Sequence, residues 1–188
     1  MLKIEGGRIY LRDHQTDDLE IFHSWLSDPE VMRYLPWRTS TVEESFLQLA
    51  ECLRENVKEN RTKYFFAIIL KESEQVVGEA GFTIEAKEAK GGIASMGYFL
   101  LKSYWGKGYA TEVAQMMIEY CFTTLKLHKV TAGCDAENTA SEMVMKKCGM
   151  KREGYRKQQY YLAGHWRDRF EYGLLYEDWV RGKFTEVG

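Results

Sequence analysis

The chain has 188 residues, 45% hydrophobic and 29% charged, with 26 basic and 28 acidic side chains for a net charge of -2. That length buries roughly 70% of the unfolded surface without a metal or disulfide staple. The near-neutral charge lacks the footprint of a general nucleic-acid binder, and no apolar run approaches the ~20 residues of a membrane span.

The first residues, Met1–Gly7, lack the apolar stretch of a signal peptide. Arg8–Arg12 alternates polar and apolar residues, as a half-buried strand does. Thr16, with Asp17 and Asp18 behind it, reads as a helix start, and Leu19, Phe22, Trp25 and Leu26 recur at helical spacing until Asp28-Pro29. Thr41 and Glu44 form a capping box for a helix with Phe46, Leu49 and Leu53 on its apolar face.

Tyr64–Leu70 is a continuous apolar run, expected as a central strand covered on both faces. Val76–Glu85 and Ile93–Leu101 follow as strands of an antiparallel meander. Gly78 and Gly81, inside the first of these, mark a bulge or a close backbone approach. The pattern then changes to a helix over Tyr109–Leu125, a strand over Lys129–Cys134 and a short helix over Ala140–Lys147 that Gly149 stops. Tyr155–Leu162 and Arg169–Leu175 close the chain as a hairpin around Ala163-Gly164. The order β-α-α-β-β-β-α-β-α-β-β predicts an α/β (α+β) domain, a mixed sheet with helices on its faces. It forms one domain over residues 1–188, with a core at about 8–176.

Cys52, Cys121, Cys134 and Cys148 form no CxxC pair, so zinc ligation is not expected. They read as reduced, apolar filler in a cytoplasmic protein.

The chemistry concentrates at Ser103–Thr111, Ser-Tyr-Trp-Gly-Lys-Gly-Tyr-Ala-Thr, which joins a strand to a helix. Gly106 and Gly108 let the backbone turn tightly and approach a ligand. The helix behind them offers unpaired N–H groups and a dipole that favours an anion. On spacing alone this is either a phosphate cradle or a plain strand-to-helix turn. It is neither a P-loop nor a complete dinucleotide fingerprint.

Gly97–Thr111 resembles the acyl-CoA-binding motif Q/R-x-x-G-x-G/A of the GNAT N-acetyltransferase superfamily, with Ser103 where Gln or Arg is usual. Asn138-Thr139-Ala140-Ser141 resembles the N-x-x-S segment of the RimJ/RimL-type branch. Lys147–Met150, the hairpin residues Gly164, Asp168 and Tyr172, and Asp28–Trp37 are similar to further segments of that branch. The likeness spans nearly the whole chain.

The resemblance implies the GNAT fold and transfer of acetyl from acetyl-CoA to a primary amine. It sets Phe99, Leu100 and Leu101 on a splayed strand beside the pantetheine. The loop Trp105, Gly106, Lys107, Gly108, Tyr109, Ala110 and Thr111 would lie at the pyrophosphate, with Asn138 on the pantetheine arm. Ser141 is carried over as the donor to the departing thiolate, against the alternative that it caps its helix. Tyr104 and Tyr109 are other hydroxyls in reach.

Glu79 is the leading candidate for accepting a proton or attracting the ammonium, against a plain strand glutamate. Asp168, Glu171, His128 and His165 are alternatives, as is proton loss to solvent. Tyr34, Trp37 and Asp168 border the acceptor side, with Tyr34–Arg38 as an apolar wall. A protein or peptide N-terminal amine is the favoured acceptor, with small amines, polyamines or antibiotics next, and acyl-CoA binding without turnover as a different class. No metal, membrane or direct nucleic-acid partner is expected, and the chain would be a monomer or homodimer.

Overall fold

The computed structural model describes residues 1–35 and 41–185. Eight strands form one sheet: β1 (Lys3–Glu5), β2 (Ile9–Asp13), β3 (Lys63–Leu70), β4 (Gln75–Glu88), β5 (Gly91–Leu100), β6 (Lys129–Asp135), β7 (Lys151–Leu162) and β8 (His165–Leu175). Their spatial order is β1-β2-β3-β4-β5-β6-β8-β7. The helices are α1 (Leu19–Leu26), α2 (Val42–Asn56), α3 (Tyr109–Thr123), α4 (Thr139–Lys147) and α5 (Tyr176–Thr185).

The sheet is mixed because of one crossover. β3, β4 and β5 pair antiparallel through short turns. α3 then carries the chain back over one face, so that β6 pairs parallel to β5. A parallel neighbour requires such a connection.

Alternation along the strands feeds two cores. Ile9, Leu11, Phe66, Ile68, Phe82, Ala94, Met96 and Val130 pack against Val113, Met117, Cys121 and Phe122 of α3. On the opposite face, Phe65, Val76, Phe99 and Leu101 meet Phe22, Trp25, Leu26, Leu49 and Cys52 of α1 and α2. β3 is thus covered on both sides, as its continuous apolar run predicts: Phe66–Ile69 are each at most 1% exposed.

The local signals mostly hold. Thr41 and Glu44 exchange their capping bonds, each 3.2 Å. Gly149, at φ 76°, stops α4. Gly78 has no room for a side chain, because a Cβ would lie 2.3 Å from the Phe99 carbonyl oxygen, and the β3/β4 register shifts beside it.

The sequence-based order needs four corrections. Lys3–Glu5 pairs with β2 as a short edge strand, too short to show a period. Tyr176–Thr185 is a helix whose Trp179 packs on Phe122. The closing strands start earlier than expected, at Lys151 and His165, because bulges near Gly154 and between Arg156 and Tyr160 break the alternation. Thr16–Asp18 is a 3-10 turn before α1 rather than its first turn, with the Asp18 carboxylate drawn back onto Arg12.

Candidate active site

The parallel pair β5/β6 runs only from Ile93/Lys129 to Met96/Ala132. Beyond it the strands diverge. Gly97–Leu100 stay paired to β4, while Gly133–Asp135 stay paired to β8. The facing edges therefore carry backbone N–H and C=O groups with no strand between them, and an extended ligand can pair there as a strand would. Phe99 and Leu100 lie on this edge, whereas Leu101 gives its N–H to the Val77 carbonyl and accepts the Tyr104 N–H, each at 2.9 Å, and so has no backbone group left for the wedge. Their side chains are spent on the cores, Leu100 on the α3 side and Phe99 and Leu101 on the α1/α2 side.

The glycine loop closes one end of the wedge. Gly106 and Gly108 sit at φ 72° and 81°, in the left-handed region that disfavours side chains. The space above Gly106 is open, with no atom within 4 Å of where a Cβ would stand. Gly108 occupies the N-cap of α3, so the first N–H groups at Tyr109, Ala110 and Thr111 have no carbonyl in the preceding turn.

Arg8 fixes the loop from 99 residues away. Its guanidinium donates to the Lys107 carbonyl at 2.8 Å and to Glu112 at 2.9 Å, and stacks on Tyr109. The Trp105 indole donates to the Leu100 carbonyl at 2.7 Å, tying loop to strand. The result is an open, backbone-lined, positively biased cradle. Backbone N–H groups at such a helix N-terminus favour an anion.

At the wedge, α4 brings up Asn138 and Ser141. Asn138 is the N-cap, and its side-chain oxygen accepts from the Ser141 N–H at 3.0 Å. That leaves the Ser141 hydroxyl free of capping duty, and it lies 3.4 Å from the Tyr98 hydroxyl. Burial pushes Tyr98 up to about 12, despite the opposing bond to Ser141. The phenol thus stays protonated across the physiological range and can donate.

Residues 8–151 match the acetyltransferase (GNAT) domain family. The chain belongs to the GNAT acetyltransferase family. It is similar to an uncharacterized N-acetyltransferase, YnaD, of Bacillus subtilis, at 32% identity over 95% of this chain and 99% of that one. It also resembles a solved GNAT acetyltransferase from Bacillus anthracis, at 31% identity and TM-score 0.79, over 94% of this chain and 99% of that one. At 25% identity stand two Escherichia coli relatives. One is a spermidine N(1)-acetyltransferase (85% of this chain, 82% of the relative). The other is a ribosomal protein uS5-alanine N-acetyltransferase (64% and 61%). The GNAT assignment makes this chain an N-acetyltransferase with a mixed α/β sheet.

In this GNAT chain the two expected chemical side chains lie on opposite faces of the sheet. Ser141 stands with Tyr98 on the α3/α4 side. Glu79 stands on the α1/α2 side, opposite Phe99 in the β4/β5 register. Glu79 is not a free strand carboxylate. His14 Nε2 approaches Glu79 Oε2 at 3.1 Å, and the Glu79 side chain is 17% exposed.

Tyr34 donates to the Glu137 carbonyl at 3.4 Å, so the segment after α1 meets the turn before α4. Asp168 lines a recess there with Glu137, Trp166 and Arg167. Its carboxylate is engaged by the Tyr155 hydroxyl and by the Gln158 N–H at 2.8 Å, and the Tyr155 bond leads in holding it below the ordinary carboxylate range. Trp37, with Pro36 and Arg38, lies outside the described residues.

The other candidates are engaged elsewhere. Tyr104 donates to Gln75 at 3.0 Å. Glu171 pairs with Arg169 at 3.0 Å and Arg156 at 3.2 Å. The His165 ring contacts the Ala163 carbonyl and Arg167.

Sequence reasoning missed Arg8, Tyr98 and His14. Arg8 and His14 act through contacts 65 to 104 residues distant, and Tyr98 reads as one more aromatic in a strand. Only the fold brings them to the site.

Proposed function

We propose that this N-acetyltransferase takes acetyl from acetyl-CoA and transfers it directly to a primary amine, with the amine of a protein or peptide N-terminus as acceptor. The observation that carries the reading is the wedge. Its unpaired β5 edge ends in the Gly106–Gly108 cradle, and hydroxyl donors line one face while a carboxylate stands on the other.

Acetyl-CoA supplies an activated thioester. The loop residues Trp105 to Thr111 hold its diphosphate through backbone N–H groups, with Arg8 and the exposed Lys107 adding positive charge. The edge at Phe99 and Leu100 pairs with the pantetheine amides, and Asn138 steadies that arm at the mouth of α4. These residues fix the thioester between the two faces, and orientation alone contributes much of the rate.

The acceptor amine enters from the α1/α2 side. It attacks only when neutral, so its proton must leave. Glu79 attracts the ammonium and takes that proton through water. As the carbon–sulfur bond breaks, negative charge collects on sulfur, and Ser141, backed by Tyr98, donates to it. N–H groups of the β5 edge stabilise the carbonyl oxygen. No covalent enzyme intermediate is needed. Tyr34 and Asp168 form part of the acceptor rim.

The acceptor preference rests on the uS5-alanine relative and on the apolar character of Tyr34–Trp37. The spermidine relative supports the alternative of a small polyamine, and acidic groups near the rim, Asp135, Glu137 and Asp168, are compatible with it. The two separate by CoA-thiol release with peptides bearing free N-termini, matched N-blocked peptides, and polyamines or aminoglycosides. Turnover confined to free N-termini supports the N-terminal reading. Turnover confined to the small amines replaces it. Acetyl-CoA binding with no turnover on any amine sinks the enzymatic roles assigned to Ser141 and Glu79.

A further inference from the structure

Between α1, α2 and the sheet lies a buried polar cluster. His14 follows β2, and its side chain is 0% exposed. Its ring is held edge-on by Phe22 at 5.2 Å and near Trp25 at 6.4 Å. Asn56 fixes its carbonyl at 3.2 Å. Both ring nitrogens meet carboxylates: Nδ1 lies 3.3 Å from Asp18 Oδ2, and Nε2 lies 3.1 Å from Glu79 Oε2. Asp18 is itself anchored, by two bonds from Arg12 at 2.6 and 2.7 Å and one from the Gln15 N–H at 2.8 Å.

We propose that His14 is a positioning residue of the acetyl-transfer site, reaching from the anchored Asp18 to pin one oxygen of Glu79, so that the rest of that carboxylate faces the acceptor amine. The inference rests on the reading that Glu79 receives the amine. Glu79 Oε2 and His14 Nε2 are both sealed from solvent and make no aligned hydrogen bond, so charge across 3.1 Å, not a directed bond, holds them together, and the Glu79 side chain's 17% exposure lies elsewhere on it. The anchor chain Arg12–Asp18–His14–Glu79 alternates in sign, and an imidazolium at its centre balances it. Burial opposes that charge, but the contacts to Asp18 and Glu79 outweigh it and raise the His14 pKa. A cation here lies against the carboxylate that would attract the ammonium.

Cys52 on α2 adds a third candidate ligand, since His14, Cys52 and Glu79 present ligand atoms all within 4.8 Å. The contacts favour positioning over a metal site. Nδ1 is engaged by Asp18, and the imidazolium that the two carboxylates favour has no lone pair for a metal. Burial, with Glu79 beside it, pushes the Cys52 thiol up, away from the thiolate a metal needs. The charged or titratable groups facing His14 are Asp18 and Arg12 before α1, Cys52 on α2 and Glu79 on β4.

The test is a set of pH–rate profiles for wild type, His14→Gln, Asp18→Asn, Glu79→Gln and the His14→Gln/Glu79→Gln double variant. Thermal melts serve as the folding control. His14→Gln should lower kcat/KM for the acceptor about 10- to 100-fold and leave KM for acetyl-CoA unchanged. Its acid limb should move to higher pH, because the variant removes the positive charge that His14 places beside the site. Asp18→Asn should move the limb the same way by less, and it carries the test if His14→Gln misfolds. In the double variant the costs should not add, because His14 acts through Glu79.

An unmoved limb, or additive costs, overturns the proposal and leaves His14 a packing residue. Stoichiometric Zn2+ uptake with loss of the Cys52 thiol titre also overturns it, in favour of a metal site. A fully active Glu79→Gln variant sinks the role of Glu79 itself, a failure distinct from that of His14 alone.

Discussion

In the proposed reaction two hydroxyls, Tyr98 and Ser141, serve the leaving-group side. Tyr98 is pushed up to about 12 by burial. A group raised this far stays protonated until pH passes that value, so no loss of rate between pH 7 and 10 should arise from it. Tyr98→Phe should lower kcat about 10-fold or more across that range without moving either limb of the profile. Ser141→Ala should lower kcat by a similar factor with KM for acetyl-CoA little changed. If both variants match wild type in stopped-assay transfer rates, the donor assignment fails. Ser141 was singled out by the N-x-x-S resemblance, and in the structure Asn138 caps α4 with the Ser141 N–H, not its hydroxyl. Tyr98 was not legible, because strand aromatics normally pack, and its role depends on where α4 lands.

At the scale of elements, the glycine loop and α3 form one anion-binding unit, and Arg8 locks it from β2's leading edge. Gly108→Ala places a side chain at φ 81°, strains the N-cap and narrows the approach to the N–H groups. KM for acetyl-CoA should rise about 10-fold or more, with a smaller change in KM for the acceptor. Arg8→Ala releases the Lys107 carbonyl and Glu112 and should raise the same constant by a smaller factor. Equilibrium binding of acetyl-CoA to each variant checks both, and unchanged affinity in Gly108→Ala would remove the loop from the site. The strand-glycine-helix transition was plain in the sequence, because φ > 0 needs glycine and an N-cap needs a break. The wedge was not, because two strands that diverge after four paired residues look the same in sequence as two that remain paired.

The cysteines belong to the same scale. Cys52, Cys121 and Cys134 are buried. Burial is the leading influence on all four thiols: it holds Cys121 at about 12 and Cys134 and Cys148 at about 11, and pushes Cys52 further up. A thiolate is the reactive form. Labelling of the native protein by a disulfide reagent at pH 8 should therefore be slow and should rise sharply on unfolding. Rapid stoichiometric labelling would show a thiol activated in the fold.

Across the whole molecule, buried carboxylates paired with arginine stitch the sheet to its loops. Burial raises Asp18, but the bonds from Arg12 and His14 outweigh it and bring its pKa far below the ordinary value. Asp135 is likewise raised by burial and lowered further by Arg167, at 2.7 Å. A depressed carboxylate contributes stability that is present above its unfolded pKa, near 4, and is lost as pH falls through its folded value. The protein should thus be most acid-sensitive below about pH 4. Asp18→Asn leaves Arg12 without its partner and should cost about 3–5 kcal/mol at pH 7, with the gap to wild type closing in acid. Urea unfolding at pH 7 and at about pH 2 measures both. A constant gap would show that the Asp18 charge is not what stabilises. The alternation of strands and helices revealed the mixed sheet and the order of its central elements. These long-range ion pairs join residues that no local pattern links, and the terminal elements β1 and α5 are too short or too weakly periodic to announce themselves.

The central claim is direct transfer, with donor and acceptor held together across one wedge and no acyl group parked on the protein. Initial velocities with acetyl-CoA and an amine acceptor both varied test it most directly. Intersecting double-reciprocal lines are expected, because both substrates must be bound before the bond to sulfur breaks. Parallel lines, with acetyl retained on the protein when acceptor is withheld, would contradict the account.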